Sequence, residues 1–234
     1  MYRYINASDL SKLLGKKYGF FWTTNDDIQR IIFNKKIKNE MVRIIDNLPE
    51  EIIEKTLLDM DIPKKRKLSE NKEMILSNIN TVKNETVCLD TGYLEIKNNY
   101  LNTLPSVLKK AVDTEFTLDY GKVQEVKILD ECNIEKTNKL EYLLFKSGNA
   151  FYKIGCRFDG PQVEIKTRKN KFLGVPDYER LQLTVYMAVA KKNSWVLKEK
   201  WNGEIKDHQI LFDQVFFETL KNDIHECWEK YLCV

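Results

Sequence analysis

The run Arg157-Phe158-Asp159-Gly160-Pro161-Gln162-Val163-Glu164-Ile165-Lys166 constrains this chain more than any other stretch. It predicts two short strands joined by a tight turn around Gly160-Pro161. Residues two apart on a strand point to the same face, so Glu164 and Lys166 must converge. A four-residue loop at 160–163 sets Asp159 directly opposite Glu164 and brings it to that face. Two carboxylates and one ammonium on one side of a hairpin suit metal-dependent hydrolysis of a phosphodiester. The carboxylates offer oxygen ligands to Mg²⁺, which polarises the phosphate and lowers the pKa of a bound water. The lysine can orient that water or offset charge developing at phosphorus.

The triplet alone does not settle the matter. Glu-Ile-Lys occurs at 95–97, 164–166 and 204–206, and Asp90 stands as far ahead of Glu95 as Asp159 does ahead of Glu164. Asp90, Glu95 and Lys97 are therefore an alternative centre. An ordinary strand, with a solvated polar face and an inward isoleucine, would show the same pattern. Context has to separate the copies.

Bulk properties narrow the chemistry. A net charge of +3 permits a nucleic-acid partner without requiring one. The five cysteines (Cys88, Cys132, Cys156, Cys227, Cys233) include no C-x-x-C pair, which speaks against a disulfide framework, a zinc site or an iron–sulfur cluster. With only His208 and His225, histidine-based metal sites and Ser-His triads are poorly supported, so a metal would be held by oxygen. The N-terminus lacks the apolar core of a secretory signal, and no apolar run approaches the ~18 residues a membrane span needs. An intracellular, cytoplasmic protein that does not enter membranes is expected.

The first ~80 residues read as helical. Asn6-Ala7-Ser8-Asp9 caps a helix carrying Leu10, Leu13 and Leu14, with Gly15 as its stop. Apolar residues at helical spacing over 26–46 include Ile28, Ile37 and Ile45, and Pro49-Glu50-Glu51 opens a further helix. Residues 63–67 form a basic linker before a helix over about 68–82. From residue 105 on, the pattern predicts a helix at 116–130 and strands near 138–147, 150–159 and 163–168. A helix from Pro176 to about 191 follows. Next come a strand at 195–200, a type I′ turn at Asn202-Gly203, a strand at 204–212 and a C-terminal helix from about Asp213. The order is that of an α/β fold, with a mainly helical lobe at 1–104 and a core at 105–234.

Only the 164–166 copy has company. Behind it Tyr178, Gln182 and Tyr186 fall at i, i+4 and i+8 on one helix face. Ahead of it Glu125 lies in a predicted helix, four residues after Gly121. Tyr120-Gly121 with Glu125, Phe158-Asp159-Gly160, Val163-Glu164-Ile165-Lys166 with Arg168, and Tyr178-Glu179 with Gln182 and Tyr186 together resemble the PD-(D/E)XK nuclease superfamily. Within it they are similar to the lambda-exonuclease-like, YqaJ-type recombinase nucleases of large DNA viruses. The match covers about 116–212. Phe158 stands where the superfamily name has proline, and the gap between Asp159 and Glu164 is shorter than in many relatives.

The resemblance implies a restriction-endonuclease-like core, with a central mixed sheet flanked by helices. It implies that Asp159, Glu164, the Ile165 carbonyl and Glu125 hold two Mg²⁺ or Mn²⁺ ions, that Lys166 is the catalytic lysine, and that Gln182 is the active-site glutamine. Arg168, Lys169 and Lys171 are expected to meet DNA phosphates. The activity implied is a metal-dependent exonuclease that resects double-stranded ends for recombination or replication. A single-strand annealing partner is also implied, while relatives are either ring-shaped trimers or monomers, so the resemblance leaves a homo-oligomer and a monomer both open. A nicking or structure-specific endonuclease, and an inactive DNA-binding protein of the same fold, remain the alternatives.

Overall fold

The computed structural model describes residues 2–20, 23–33, 39–89, 91–137 and 139–232. Strand β1 (Tyr2–Asn6) leads through a 3₁₀ turn at Ala7–Asp9 into α1 (Leu10–Leu14), then α2 (Asn25–Ile32), α3 (Glu40–Asp46), α4 (Glu50–Asp59) and α5 (Leu68–Val87). There follow α6 (Tyr93–Thr103), α7 (Ser106–Glu131), β2 (Leu140–Ser147), β3 (Ala150–Arg157), β4 (Val163–Thr167) and α8 (Asp177–Ala190). Strands β5 (Ser194–Trp201) and β6 (Glu204–Leu211) and helix α9 (Gln214–Leu232) complete the chain. The protein is mixed α/β. No described helix is long and apolar enough to cross a membrane.

The chain divides into two compact units, residues 1–36 with 125–234, and residues 37–124. This differs from a boundary at 104/105, and the reason is β1. Its alternation sends Ile5 inward, and it pairs parallel with β3 from Tyr2↔Phe151 to Asn6↔Gly155. The first residues therefore belong with the strands, not with the helical lobe. Helix α7 extends ten residues further toward the N-terminus than the predicted 116, and Glu125 falls in the first unit.

The first unit holds two three-stranded mixed sheets among its described residues, ordered β1-β3-β2 and β4-β5-β6. Strand β2 is antiparallel to β3, β4 is parallel to β5, and β5 is antiparallel to β6. One central sheet was expected. Instead β4 makes no ladder with β3: the bridge Gly160↔Val163 only closes the turn between them, and β4 takes β5 as its partner. Asn202 and Gly203 both have positive φ (50° and 81°), as a type I′ hairpin turn demands. Ile5, Leu10, Leu14, Ile154, Leu181, Leu183, Leu197, Leu220 and Trp228 share the main core, where burying each aliphatic chain stabilises by ~1.5–3 kcal/mol.

The second unit is helical among its described residues. Ile53, Leu57, Ile75, Ile79, Leu108, Val112 and Phe116 form its core. The helix expected across 26–46 is present as α2 and α3, and Ile37 between them lies outside the described residues, as do Asp90 and Cys233. The segment at 93–103, weighed above as a possible second hairpin centre, is helix α6. Its buried positions Tyr93 and Lys97 and the buried Leu104 beyond it follow a helical period, which outweighs the alternation suggested by Glu95 and Lys97.

Candidate active site

Residues 160–163 form a tight turn closed by reciprocal hydrogen bonds between Gly160 and Val163, both 3.3 Å. Pro161 fixes one corner, and Gln162 takes a positive φ of 57° at the other, a conformation disfavoured for residues other than glycine. Gly160 is required on steric grounds. A Cβ there would stand 2.6 Å from Ile134 Cγ2 and 3.3 Å from the Glu135 carbonyl. Asp159 and Glu164 thus flank the closing pair. The Asp159 carboxylate reaches across the turn, its Oδ2 accepting the Ile165 backbone N–H at 2.7 Å.

Along β4 the period of two is obeyed. Val163 and Ile165 pack with Ile128 and Leu129 of α7. Glu164 and Lys166 take the opposite parity and converge, with Lys166 Nζ 2.5 Å from Glu164 Oε1. The same Oε1 accepts from Gln182 Nε2 at 3.1 Å. The Gln182 amide is itself fixed, because its Nε2 also donates to the Tyr186 hydroxyl, which donates in turn to the Arg157 carbonyl at 2.8 Å. Helical spacing places Gln182 and Tyr186 one turn apart on α8.

Glu164 is 3% exposed. Burial pushes its carboxyl up to about 8; Lys166 counters this, and the nearby Asp159 and Glu125 reinforce it. Burial alone would lower the Lys166 ammonium, but Glu164 and Asp159 hold it above its ordinary range. Oxygen Oε2 of Glu164 is buried and has no hydrogen-bond partner among the described residues. A buried carboxyl oxygen without a partner is costly and calls for one.

The predicted residues fall into two groups. Asp159, Glu164, Ile165, Lys166 and Gln182 are joined by the contacts above, and Glu125 of α7 is near enough to raise the Glu164 carboxyl. No three His, Cys, Asp or Glu side chains among the described residues are placed to hold a metal ion as they stand. The donor chemistry nonetheless fits a hard cation. The ligands on offer are carboxyl oxygens, and one of them, Glu164 Oε2, is buried without a partner among the described residues. Lys169 and Lys171 are exposed, as phosphate contacts must be.

Arg168 corrects an expectation. Its guanidinium is not offered to DNA. It makes a bidentate pair with Glu179 (2.7 Å twice) and a third bond from Nε to Glu199 Oε1 at 2.5 Å. Glu199 is fully buried and also accepts from the Leu173 and Gly174 backbone N–H groups, and it contacts His208 Nε2 at 2.8 Å. Burial opposes ionisation of Glu199, but Arg168 and the two backbone donors hold its carboxyl below the usual range. This network pins the loop carrying Lys169 and Lys171 to β5 and α8. Sequence reading missed Glu199, although Trp195, Leu197 and Glu199 share one parity on β5. A carboxylate that continues a buried stripe must be paired.

No family model matches the chain, and no curated protein matches it. Among solved structures, the crystal structure of SSO0001 is similar over 76% of this chain and 84% of its own, at 17% identity and a TM-score of 0.40. A likeness at that score supports no conclusion on function.

Proposed function

We propose that the protein is a divalent-metal-dependent DNA nuclease of the PD-(D/E)XK type that acts on double-stranded ends. The observation that carries the reading is Glu164. Its carboxyl is buried on an edge strand, with one oxygen held by Lys166 and Gln182 and the other without a hydrogen-bond partner among the described residues. Asp159, Glu164, the Ile165 carbonyl and Glu125 would hold Mg²⁺ or Mn²⁺, which supplies Lewis acidity toward a phosphodiester and toward water. Asp159 is aimed by the Ile165 N–H, which fixes one of its oxygens. Lys166 places a cation where negative charge grows on the phosphate oxygens, and Gln182, locked by Tyr186, presents its amide donors to the same place. Action at ends for recombination and a single-strand annealing partner come with the family resemblance and belong to this proposal.

The test is degradation of linear and closed-circular duplex DNA by purified protein with Mg²⁺ or Mn²⁺, beside Asp159→Asn and Lys166→Ala. Loss of linear duplex alone, abolished in both variants, is expected. Cleavage of the circle would make the protein an endonuclease at the same site. Binding without cleavage by the wild type would make it a non-catalytic DNA-binding protein. Equal activity in all three proteins would sink the assignment of the site.

A further inference from the structure

Sheet β1-β3-β2 buries one face in the main core and leaves the other in solvent. On the open face Tyr2, Phe151 and Lys146 form one row across the three strands, Tyr4, Lys153 and Leu144 a second, and Asn6, Gly155 and Tyr142 a third. Large apolar groups there stay exposed: Tyr2 by 52%, Tyr142 by 42%, Leu144 by 56% and Phe151 by 48%. Scattered single apolar residues mean little, but a contiguous set marks a binding surface.

We propose that this face is a stacking platform for single-stranded DNA. Three features favour that occupant over an apolar protein surface. The first is charge. Every ionisable strand residue on the face other than tyrosine is a cation (Lys146, Lys153, Arg157), and no strand position on it is acidic. The second is interleaving. Lys153 Nζ lies 3.8 Å from the Tyr142 ring centroid and Lys146 Nζ 5.7 Å from that of Phe151, so two of the exposed rings carry a cation, and Tyr2 sets its ring edge-to-face against Phe151 at 6.0 Å. Rings that take the π-face of a base, next to cations that meet phosphates, are the working parts of sequence-tolerant single-strand binding. The third is the middle of the face. Gly155 leaves room for the Tyr4 ring to lie across the sheet, since a Cβ there would come within 2.5 Å of its hydroxyl. Tyr4 donates to Asn6 Oδ1 and Asn6 donates to Asp9, which holds the Tyr4 ring in place on the sheet. Strand β3 runs from Phe151 on the platform to Arg157, two residues short of Asp159. A strand of DNA tracking β3 is thereby led toward the candidate carboxylates.

The choice of DNA over RNA rests on the nuclease reading; the platform does not, and a metal-free assay reports on it alone. Fluorescence anisotropy in EDTA, with the full chain, would use an oligothymidylate of about 16 nucleotides, the upper end of the site size of comparable folds. Matched arms would be an abasic strand, an oligouridylate and a duplex. The expected results are preference for oligothymidylate over the abasic strand, and a loss of about tenfold or more in Tyr142→Ala/Phe151→Ala, the order expected when base stacking is removed. Duplex binding should stay within about twofold in that variant. Tyr142→Phe, which keeps the ring, should bind like the wild type, and thermal melting identifies any variant that fails to fold. Equal affinity for abasic and thymidylate strands would overturn the proposal, as would equal affinity of wild type and folded double variant. Tighter binding of oligouridylate would reassign the face to RNA, and self-association abolished by the double variant without DNA binding would reassign it to a second copy of the chain.

Discussion

Glu164-Ile165-Lys166 and Glu95-Ile96-Lys97 are the same triplet in two units of one chain, and they do opposite things. On β4 the period of two brings the carboxylate and the ammonium together at 2.5 Å. On α6 two residues subtend ~200° about the helix axis, so the same pair is driven apart. Glu95 is exposed, while Lys97 is 2% exposed and bound to Asp113 at 2.6 Å, beside the Tyr93 ring. The third copy, on β6, keeps the strand parity but not the setting: Glu204 and Lys206 are both exposed, and Lys206 lies over the Phe172 ring. A motif of this size carries chemistry only through the secondary structure that aims it and the neighbours that enclose it.

The largest test of the comparison is on cleavage. Glu164→Gln and Lys166→Ala should each lower nuclease activity on the order of 10³-fold, the scale of losing a preorganised charge at the reacting phosphate. Glu95→Ala should leave it within about twofold. A nuclease assay in which Glu95→Ala is the inactive variant would invert the comparison. Stability should show the reverse ranking. Lys97→Ala removes a buried cation from Asp113 and leaves a cavity, and should cost about 3 kcal/mol in urea unfolding. Lys166→Ala should cost about 1 kcal/mol or less below pH 8, because Glu164 then keeps its proton and carries no unpaired charge.

How much of this could be read from the sequence depends on how local the cause is. The turn at 160–163, the convergence of Glu164 with Lys166, the Asn202-Gly203 hairpin and the Gln182–Tyr186 face follow from periods and turn chemistry, which are local. Strand β1 does not. Tyr2, Arg3, Tyr4 and Ile5 alternate, but their partner lies 149 positions away and parallel pairing leaves no local mark. Arg168 and Lys169 are adjacent cations, one half-buried and paired and one exposed, and the difference comes from Glu179 and Glu199 on other elements. Glu199 lay within reach: its parity with Trp195 and Leu197 put it on a buried stripe. Helix α6 was legible too, had its apolar period been weighed above the repeated triplet.

The pH dependence sharpens the contrast further. In the folded, metal-free protein Glu164 keeps its proton up to about pH 8, whereas the unfolded chain releases it near 4.5. The folded pKa is the higher one, so the stabilising contribution is complete below 4.5 and lost as pH rises through about 8. Glu164→Gln, which mimics the protonated form, should therefore gain in melting temperature relative to wild type as pH rises from 5 to 8 in EDTA. Added Mg²⁺ should raise the melting temperature of the wild type at pH 8 and not that of the variant, by mass action on the folded state. A constant difference across that range would mean that Glu164 is ionised alongside Lys166 throughout.

The smallest expected effect tests the outermost layer of the site. Tyr186 touches neither Asp159 nor Lys166 in the contacts above. Its hydroxyl accepts from Gln182 and donates to the Arg157 carbonyl, so it decides which way the Gln182 amide faces. Tyr186→Phe leaves the ring packed against Phe158 and Trp195 and removes only those two bonds. Stability should fall by about 1 kcal/mol, the net worth of a typical buried hydrogen bond. Cleavage should fall by about tenfold, mostly in kcat, because an amide free to turn presents its carbonyl to Glu164 for part of the time. Combined with Gln182→Ala, the Tyr186→Phe change should add nothing further to the loss of activity, since its effect acts through that amide. Additive losses in the double variant would give Tyr186 a contact of its own with the reacting groups, and the layer would have to be redrawn around it.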